Sequence, residues 1–546
     1  ASSSFGYGSA MKENLAGIED YTRVVSLYQP EQIVKYGELT LRENQIAYAD
    51  PGFFRLFDFE LVKGDKATCL SMPRQVVITE RIARKYFQDE DPIGKILIFT
   101  GPYDKVVCEV TGVMKEMPSN SHIHYNFLIS YKSLGQYLHD YWYKHEVYTY
   151  VLLDSPERKE EIEKAFPAMS EKYKTDEALK NKIWGVSLTP LADIHLKPQV
   201  GYEAEIKGNR TAMIALIFAA IAILAIAWIN YINLTVARSM ERAKEVGVRR
   251  VIGAFRKQLV SQFLFEALVM NLVALVLAVG LIELILPYFN QLVSRTVTFS
   301  VWLTGYWWLL LLIVFVGGIF LSGYYPALAL LNRKPITLLK GKFLNSKSGE
   351  GTRKVLVVVQ YTASMILLCG TLIVFAQLNF MRNQSLGVKT DQTLVVKFPG
   401  RTEGMNTKLE AMKKAIARLP LVDKVTFSGA VPGEEVATFL SNRRKSDALK
   451  QNRLYEMLVC DPDYIDAYGL QLVAGRGFSE DYGDDVNKLV VNESAVRNLG
   501  IASNEEALGE EIEVECTDAP MQIIGVVKDY HQQALNKNYT PIMLIH

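Results

Sequence analysis

Residues 211–237 read TAMIALIFAAIAILAIAWINYINLTVA, a run without one charged side chain. A bilayer core about 30 Å thick needs about 20 apolar residues in a helix, so this stretch is long enough to span. Three more runs follow: 259–288, which contains Glu266 and Glu283, then 301–331 and 355–381, both uncharged. Sequence on either side is different. Residues 1–206 and 382–546 carry charges throughout and read as soluble α/β sequence. The expected fold class is a membrane α-helical protein with α/β domains outside the membrane. A chain of 546 residues exceeds what one core needs. Its formal net charge of +1 gives no pull toward nucleic acid or an acidic substrate.

Basic residues set the orientation, because they stay cytoplasmic. Between the first and second spans lie Arg238, Arg242, Lys244, Arg249, Arg250, Arg256 and Lys257. Between the third and fourth lie Arg333, Lys334, Lys340, Lys342, Lys347, Arg353 and Lys354, whereas the loop from second to third carries only Arg295. The two α/β regions are therefore expected outside, in the periplasm of a cell that has one. Trp302, Tyr306, Trp307 and Trp308 suit an interfacial belt at the outer end of the third span. Glu266 falls inside a span, where a charge is costly. It either couples and packs the spans or reaches headgroup water near the cytoplasmic boundary. Glu283, nearer the outer boundary, reads as an interfacial carboxylate.

The two soluble regions repeat each other. DPGFFRLFDFELVKGD from Asp50 matches DPDYIDAYGLQLVAGR from Asp461, and VVITERIARKYF from Val76 matches LVVNESAVRNLG from Leu489. DPIGKIL from Asp91 then matches EALGEEI from Glu506, and EVTGVMKEM from Glu109 matches QIIGVVKDY from Gln522. Four blocks in one order make chance an unlikely source. The shared pattern predicts a strand entering a short helix, a Gly turn (Gly94; Gly509), a strand and another Gly turn (Gly112; Gly525). The second copy is preceded by a span and an expected strand, TLVVKF from Thr393, which the first copy lacks. Three spans follow the first copy but not the second. The expectation is a longer chain with one more span before Ala1 and three after His546, eight in all.

Several chemistries have no motif here. No GxxxxGK[ST] phosphate loop is present, and GKILIFTGP from Gly94 is not one. No Ser/His/Asp or Cys/His arrangement supports catalysis, so no catalytic residue, cofactor or metal is expected. His122 and His124 would share a face if extended, yet no third ligand accompanies them. Glu480, Asp481, Asp484 and Asp485 read as a solvated loop. Of the five cysteines, Cys369 lies in an apolar run and is expected in a core; Cys69 with Cys108 and Cys460 with Cys516 are bridge candidates or, more simply, buried thiols.

The basic segment 238–257 has its own pattern. Met240, Ala243, Val246 or Gly247, Val251 and Ala254 recur every three or four residues, predicting an amphipathic helix. Glu245 and Arg249 form a favourably ordered i,i+4 pair. Gly247 and Gly253 break the helix or allow close approach. Such a helix either docks in a groove of a soluble partner or lies on anionic lipid. The basic stretch 332–354 reads as a linker.

The segment NYINLTVARSMERAKEVGVRRVIGAFRKQLVSQFLFEAL, Asn230 to Leu268, resembles the characteristic segment of FtsX-like and MacB-like ABC permeases. SGYYPALALL from Ser322, RKVLVVVQYTAS from Arg353 and the VVITERIARKYF series fit the same family. The resemblance implies two MacB-core-like periplasmic domains, 1–206 and 382–546. It also implies an FtsX-like domain over 207–354 with spans 211–237, 259–288 and 301–331, and a fourth span at 355–381. The double arrangement resembles eight-span permeases of Bacteroidetes-type bacteria, placed in the inner membrane. The implied function is non-catalytic: two copies of a separate ABC ATPase close, the spans move, and the periplasmic domains export or extract an envelope substrate by mechanotransmission. Antibiotics, peptides, toxins, siderophores and lipoproteins are the implied cargo classes. A periplasmic adaptor and an outer-membrane duct are further implied partners. By the same resemblance Glu241, Arg242, Lys244, Glu245, Gly247, Arg249, Arg250 and Gly253 face the ATPase. The alternative within the family is a scaffold that activates a cell-wall hydrolase, as FtsX does.

Overall fold

The computed structural model describes residues 2–26, 31–101, 105–135, 142, 145–174, 183–196, 208–293, 297–300, 305–331, 347–398, 405–436, 439–447, 453–479, 485–514, 517, 519–535 and 537–546. They fall in two compact units, one built from the two α/β regions and one from 207–379.

In the first α/β region ten strands form one sheet: β1 (Ile18–Val25), β2 (Glu31–Tyr36), β3 (Leu39–Asn44), β4 (Ile46–Ala49), β5 (Leu61–Lys63), β6 (Gln75–Thr79), β7 (Ile96–Thr100), β8 (Lys105–Met114), β9 (Phe127–Ser130) and β10 (Tyr148–Leu153). Their order is β10-β1-β4-β9-β6-β8-β7-β2-β3, with β5 also on β8. The central run VVIT lies in β6 and is buried on both faces: Val76 and Ile78 pack with Ile82 and Tyr86, while Val77 packs with Phe53 and Leu128. A strand covered on both sides reads as a continuous apolar run, which is why no alternation marks it.

Seven strands form the second sheet: β11 (Phe439–Arg444), β12 (Arg453–Val459), β13 (Leu472–Gly475), β14 (Lys488–Asn492), β15 (Glu511–Val514), β16 (Met521–Val527) and β17 (Ile542–Ile545), in the order β13-β16-β14-β17-β12-β11-β15. Five of its pairings reproduce the first sheet. β12 runs parallel to β17 as β4 does to β9, and β14 parallel to β16 as β6 does to β8. β14 is antiparallel to β17, β13 to β16 and β15 to β16, as β6 is to β9, β5 to β8 and β7 to β8. An irregularity falls between Val76 and Val77 in β6 and between Leu489 and Val490 in β14, the same place. Directly after each strand a side chain caps a short helix: Thr79 accepts from the Ile82 amide and Asn492 from the Ala495 amide.

Several expectations are corrected. Gly112 and Gly525 lie inside β8 and β16 rather than at turns. A Cβ on Gly525 would meet the Arg476 carbonyl at 2.1 Å, and one on Gly112 would meet Leu61 at 3.1 Å, so each glycine admits the chain crossing over it. The turns sit at Gly94 and Gly509, with φ of 81° and 89°. TLVVKF forms no strand: among the described residues no strand pairs with it, and Leu394 is 87% exposed. Asp485 is not solvated, because it is buried and takes two bonds from the Arg476 guanidinium at 2.8 and 2.9 Å. Those bonds hold its carboxyl below the usual range. Glu480, Asp481 and Asp484 lie outside the described residues. Cys69, Cys108 and Cys460 are buried free thiols, pushed up by burial to about 11, 12 and 12. Cys516 lies outside the described residues. Cys369 is exposed on its helix, not in a protein core. His122 sits 3.0 Å from the Tyr150 hydroxyl. No metal-holding cluster of His, Cys, Asp or Glu occurs among the described residues.

Helices Arg210–Val251, Arg256–Val293, Trp307–Leu331 and Lys347–Asn383 make the second unit with their connections; each holds a stretch long and apolar enough to cross a membrane. The third begins at Trp307, later than expected. Small residues bring the first three together: a Cβ on Gly323 would meet Ala267 and Leu264 at 3.0 and 3.1 Å, and one on Gly318 would meet Trp228 at 2.9 Å. Asn271 donates to the Ala267 carbonyl at 2.8 Å and to Ser322 at 3.3 Å, so its amide is satisfied within the bundle. The fourth helix has no buried side chain among the described residues.

Candidate coupling site

The first membrane helix does not end where its apolar run ends. It continues through the basic segment to Val251, a single helix of 42 residues about 63 Å long. The expected separate amphipathic helix is therefore an extension of the span, and Gly247 lies within it without breaking it. The break comes at Gly253, whose φ of 104° no side chain adopts readily, and the next helix starts at Arg256. Among the described residues of the expected apolar face Val246 and Gly247 are buried, Val246 packing with Leu259, Phe263, Ala327 and Leu331. Val251 is 65% exposed and leaves that face, because the helix stops there.

Four polar side chains form a chain across this end of the bundle. Arg249 donates to Glu245 at 2.7 Å, the expected i,i+4 pair, and to the Gln262 amide oxygen at 2.9 Å. Gln262 in turn donates to Glu266 at 3.4 Å. Glu266 lies about 15 Å along its helix from Arg256. Its carboxylate is thus linked through a neutral amide to the exposed Glu245–Arg249 pair. Half-exposed as it is, that pair contributes only about 0.3–0.5 kcal/mol; its value lies in position.

Arg250 does something else. Its guanidinium donates to the Leu331 carbonyl at 3.1 Å, and Arg256 reaches the same oxygen at 3.4 Å. Leu331 ends the third helix, where carbonyls lack intrahelical partners and the helix dipole is negative. Arg250 therefore joins the first helix to the end of the third, a role the charge pattern did not reveal. Of the other sequence-derived residues, Glu241, Arg242 and Lys244 lie on the helical extension, with side chains outside the described residues. Gly247 is buried and Gly253 makes the turn. Gln262 and Leu331 were missed, because an amide and a carbonyl leave no mark in a charge pattern.

Residues 2–169 and 363–545 match the MacB-like periplasmic core domain, and residues 217–335 match the FtsX-like permease C-terminal domain. The macrolide export ATP-binding/permease protein MacB of Campylobacter jejuni is 32% identical over 133 residues, 24% of this chain and 20% of that protein. The uncharacterized ABC transporter permease YknZ of Bacillus subtilis is 22% identical over 277 residues, 49% of this chain and 64% of that one. A solved domain of a putative permease from Porphyromonas gingivalis is 24% identical, covering 32% of this chain and 73% of that domain, with a TM-score of 0.29. The chain spans about a fifth of the length of the Campylobacter relative. Four apolar helices and the two family matches make it a membrane protein with periplasmic domains, and the chain belongs to the family with the MacB-like periplasmic core domain, as a MacB/FtsX-like ABC transporter permease.

Proposed function

We propose that this chain transmits the motion of a separate ABC ATPase, acting as two copies, to its periplasmic domains. There the motion drives export or extraction of an envelope substrate of the antibiotic, peptide, toxin or lipoprotein class. The chain itself acts without catalysing a reaction. In this reading residues 1–206 and 382–546 are two copies of one periplasmic unit, supported by their five shared strand pairings. Residues 207–354 are the FtsX-like part and 355–381 a further span. Glu241, Arg242, Lys244, Glu245 and Arg249 form the ATPase-facing surface, with Gly253 as its turn. Arg250 and Glu266 tie that surface to the neighbouring helices. A periplasmic adaptor and an outer-membrane duct complete the assembly.

One observation carries the reading: the first span and the docking segment are one unbroken helix. A push on its end moves the span, because no hinge absorbs it. Co-purification with the cognate ATPase tests this, comparing wild type with the double variant Glu245→Arg, Arg249→Glu. The swap keeps the intrahelical pair and reverses the charges shown to a partner. Wild type should retain the ATPase and the variant should lose it; equal retention by both would place docking elsewhere.

A further inference from the structure

A cleft of about 390 Å³ lies between the second and third membrane helices, at the end that carries Arg250 and Arg256. Its walls are apolar: Val260 and Leu264 on one helix, Leu328 and Leu331 on the other, with Tyr324 at the deeper end. Its mouth is basic, since Arg256 and Lys257 line it one turn from Val260. No acidic residue lines the cleft, and Lys257 makes no hydrogen bond or ion pair among the described residues. Arg256 shares the Leu331 carbonyl with Arg250, which is the nearer donor, so most of its N–H groups remain for another acceptor. The first turn of this 38-residue helix holds two cations and no acid, although the positive end of the helix dipole lies there. Among the described residues no acidic side chain pairs with either cation.

We propose that this cleft binds one anionic phospholipid of the cytoplasmic leaflet. The apolar walls run about 12 Å along the helix from Arg256 to Leu264, following the direction of an acyl chain. The two cations sit where its phosphate lies. A basic pocket between membrane helices on the cytoplasmic side has the chemistry that anionic headgroups recognise. A neutral phospholipid fills the walls equally well but leaves the mouth uncompensated. This site is independent of ATPase docking, and its test involves no ATPase.

The test uses the full chain in nanodiscs of phosphatidylcholine with a minor fraction of phosphatidylglycerol, and lipid retained after release is read by native mass spectrometry. Wild type should retain one phosphatidylglycerol per chain in preference to phosphatidylcholine. Lys257→Gln should weaken that preference about fivefold, the value of one juxtamembrane charge. Ser261→Trp fills the cleft from an exposed position without changing charge, and should abolish retention. Lys354→Gln removes a basic residue outside the cleft and should leave retention unchanged. The proposal is overturned if wild type shows no preference, if Ser261→Trp keeps it, or if Lys354→Gln weakens it as much as Lys257→Gln. All three variants alter exposed residues, and monodisperse elution confirms that each is folded before lipid is read.

Discussion

The two periplasmic sheets share five strand pairings but anchor them with different chemistry. In the first, Asp50 follows β4 and accepts from the Arg23 amide at 2.9 Å and from its guanidinium at 2.8 and 3.0 Å. Arg23 also donates to the Phe5 carbonyl at 2.8 Å and lies 4.0 Å from the Tyr131 ring, all of it buried. In the second, Asp461 follows β12 and accepts from the Phe427 amide at 3.1 Å, from Thr426 and from Lys413 at 2.6 Å. The constant part is a carboxylate taking a backbone N–H from the neighbouring segment. What differs is the cation, a buried arginine on a strand in one copy and a lysine on a helix, 22% exposed, in the other. Backbone geometry is thus the conserved quantity, and side-chain partners are exchanged around it.

That contrast sets the largest expected effect. Asp50→Ala takes the carboxylate away from a buried guanidinium and should destabilise the first domain by about 3–5 kcal/mol. Asp461→Ala leaves a lysine that reaches water and Asp463, and should cost about 1–2 kcal/mol. Hydrogen exchange at the β6 and β14 amides measures each domain separately. Equal losses would mean that burial of the cation does not decide the difference.

The helix caps give a smaller test. Thr79→Ala removes one cap bond and should cost about 1 kcal/mol. Asn492 also accepts from the Ile542 amide at 3.0 Å and donates to the Thr540 carbonyl at 2.8 Å. Asn492→Ala should therefore cost about 2–3 kcal/mol, because it leaves buried backbone groups unsatisfied. Domain-resolved exchange in which the two substitutions cost the same would show that those bonds add nothing beyond the cap.

The smallest effect concerns a buried position unique to the second copy. Glu456 pairs opposite Ile542 in β12; counted back from Asp461 it corresponds to Gln45 of the first copy, which is exposed just before β4. Burial pushes the Glu456 carboxyl above the usual carboxylate range. The folded state therefore holds its proton more tightly than the unfolded state does. That contribution is fully present below the ordinary carboxylate pKa and is lost as pH rises through the folded value. Glu456→Gln should raise the melting temperature of the second domain above neutral pH and have little effect in acid, on the order of 1 kcal/mol. A melting temperature displaced equally at both pH values would remove the titration from the explanation.

How much of this the residues disclosed follows from what kind of signal each feature leaves. The spans were legible because the bilayer demands a long apolar run, which nothing else in the chain needs. The strand–helix unit at Val76 and Leu489 was legible because its capping residue and apolar run are local. Thr393–Phe398 reads as a strand by composition, yet a strand needs a partner, and pairing is not a local property. Gly112 and Gly525 read as turns, since a sequence cannot distinguish a glycine that bends from one that lets another chain pass. At the candidate coupling site Glu245–Arg249 was legible from i,i+4 spacing. The Arg250–Leu331 contact was not, because it joins a side chain to a backbone carbonyl on another helix.

That last contact has a consequence for synthesis. Arg250 and Leu331 are 81 residues apart in the chain. At a translation rate of about 5–20 residues per second, Arg250 emerges about 4–16 s before its acceptor exists. For the last part of that interval, from Val293 to Leu331, the first two helices are complete without the third that closes their ends. The contact is therefore made late, by the third helix, and a ribosome pausing between the second and third spans would prolong the unlocked state without altering a single residue.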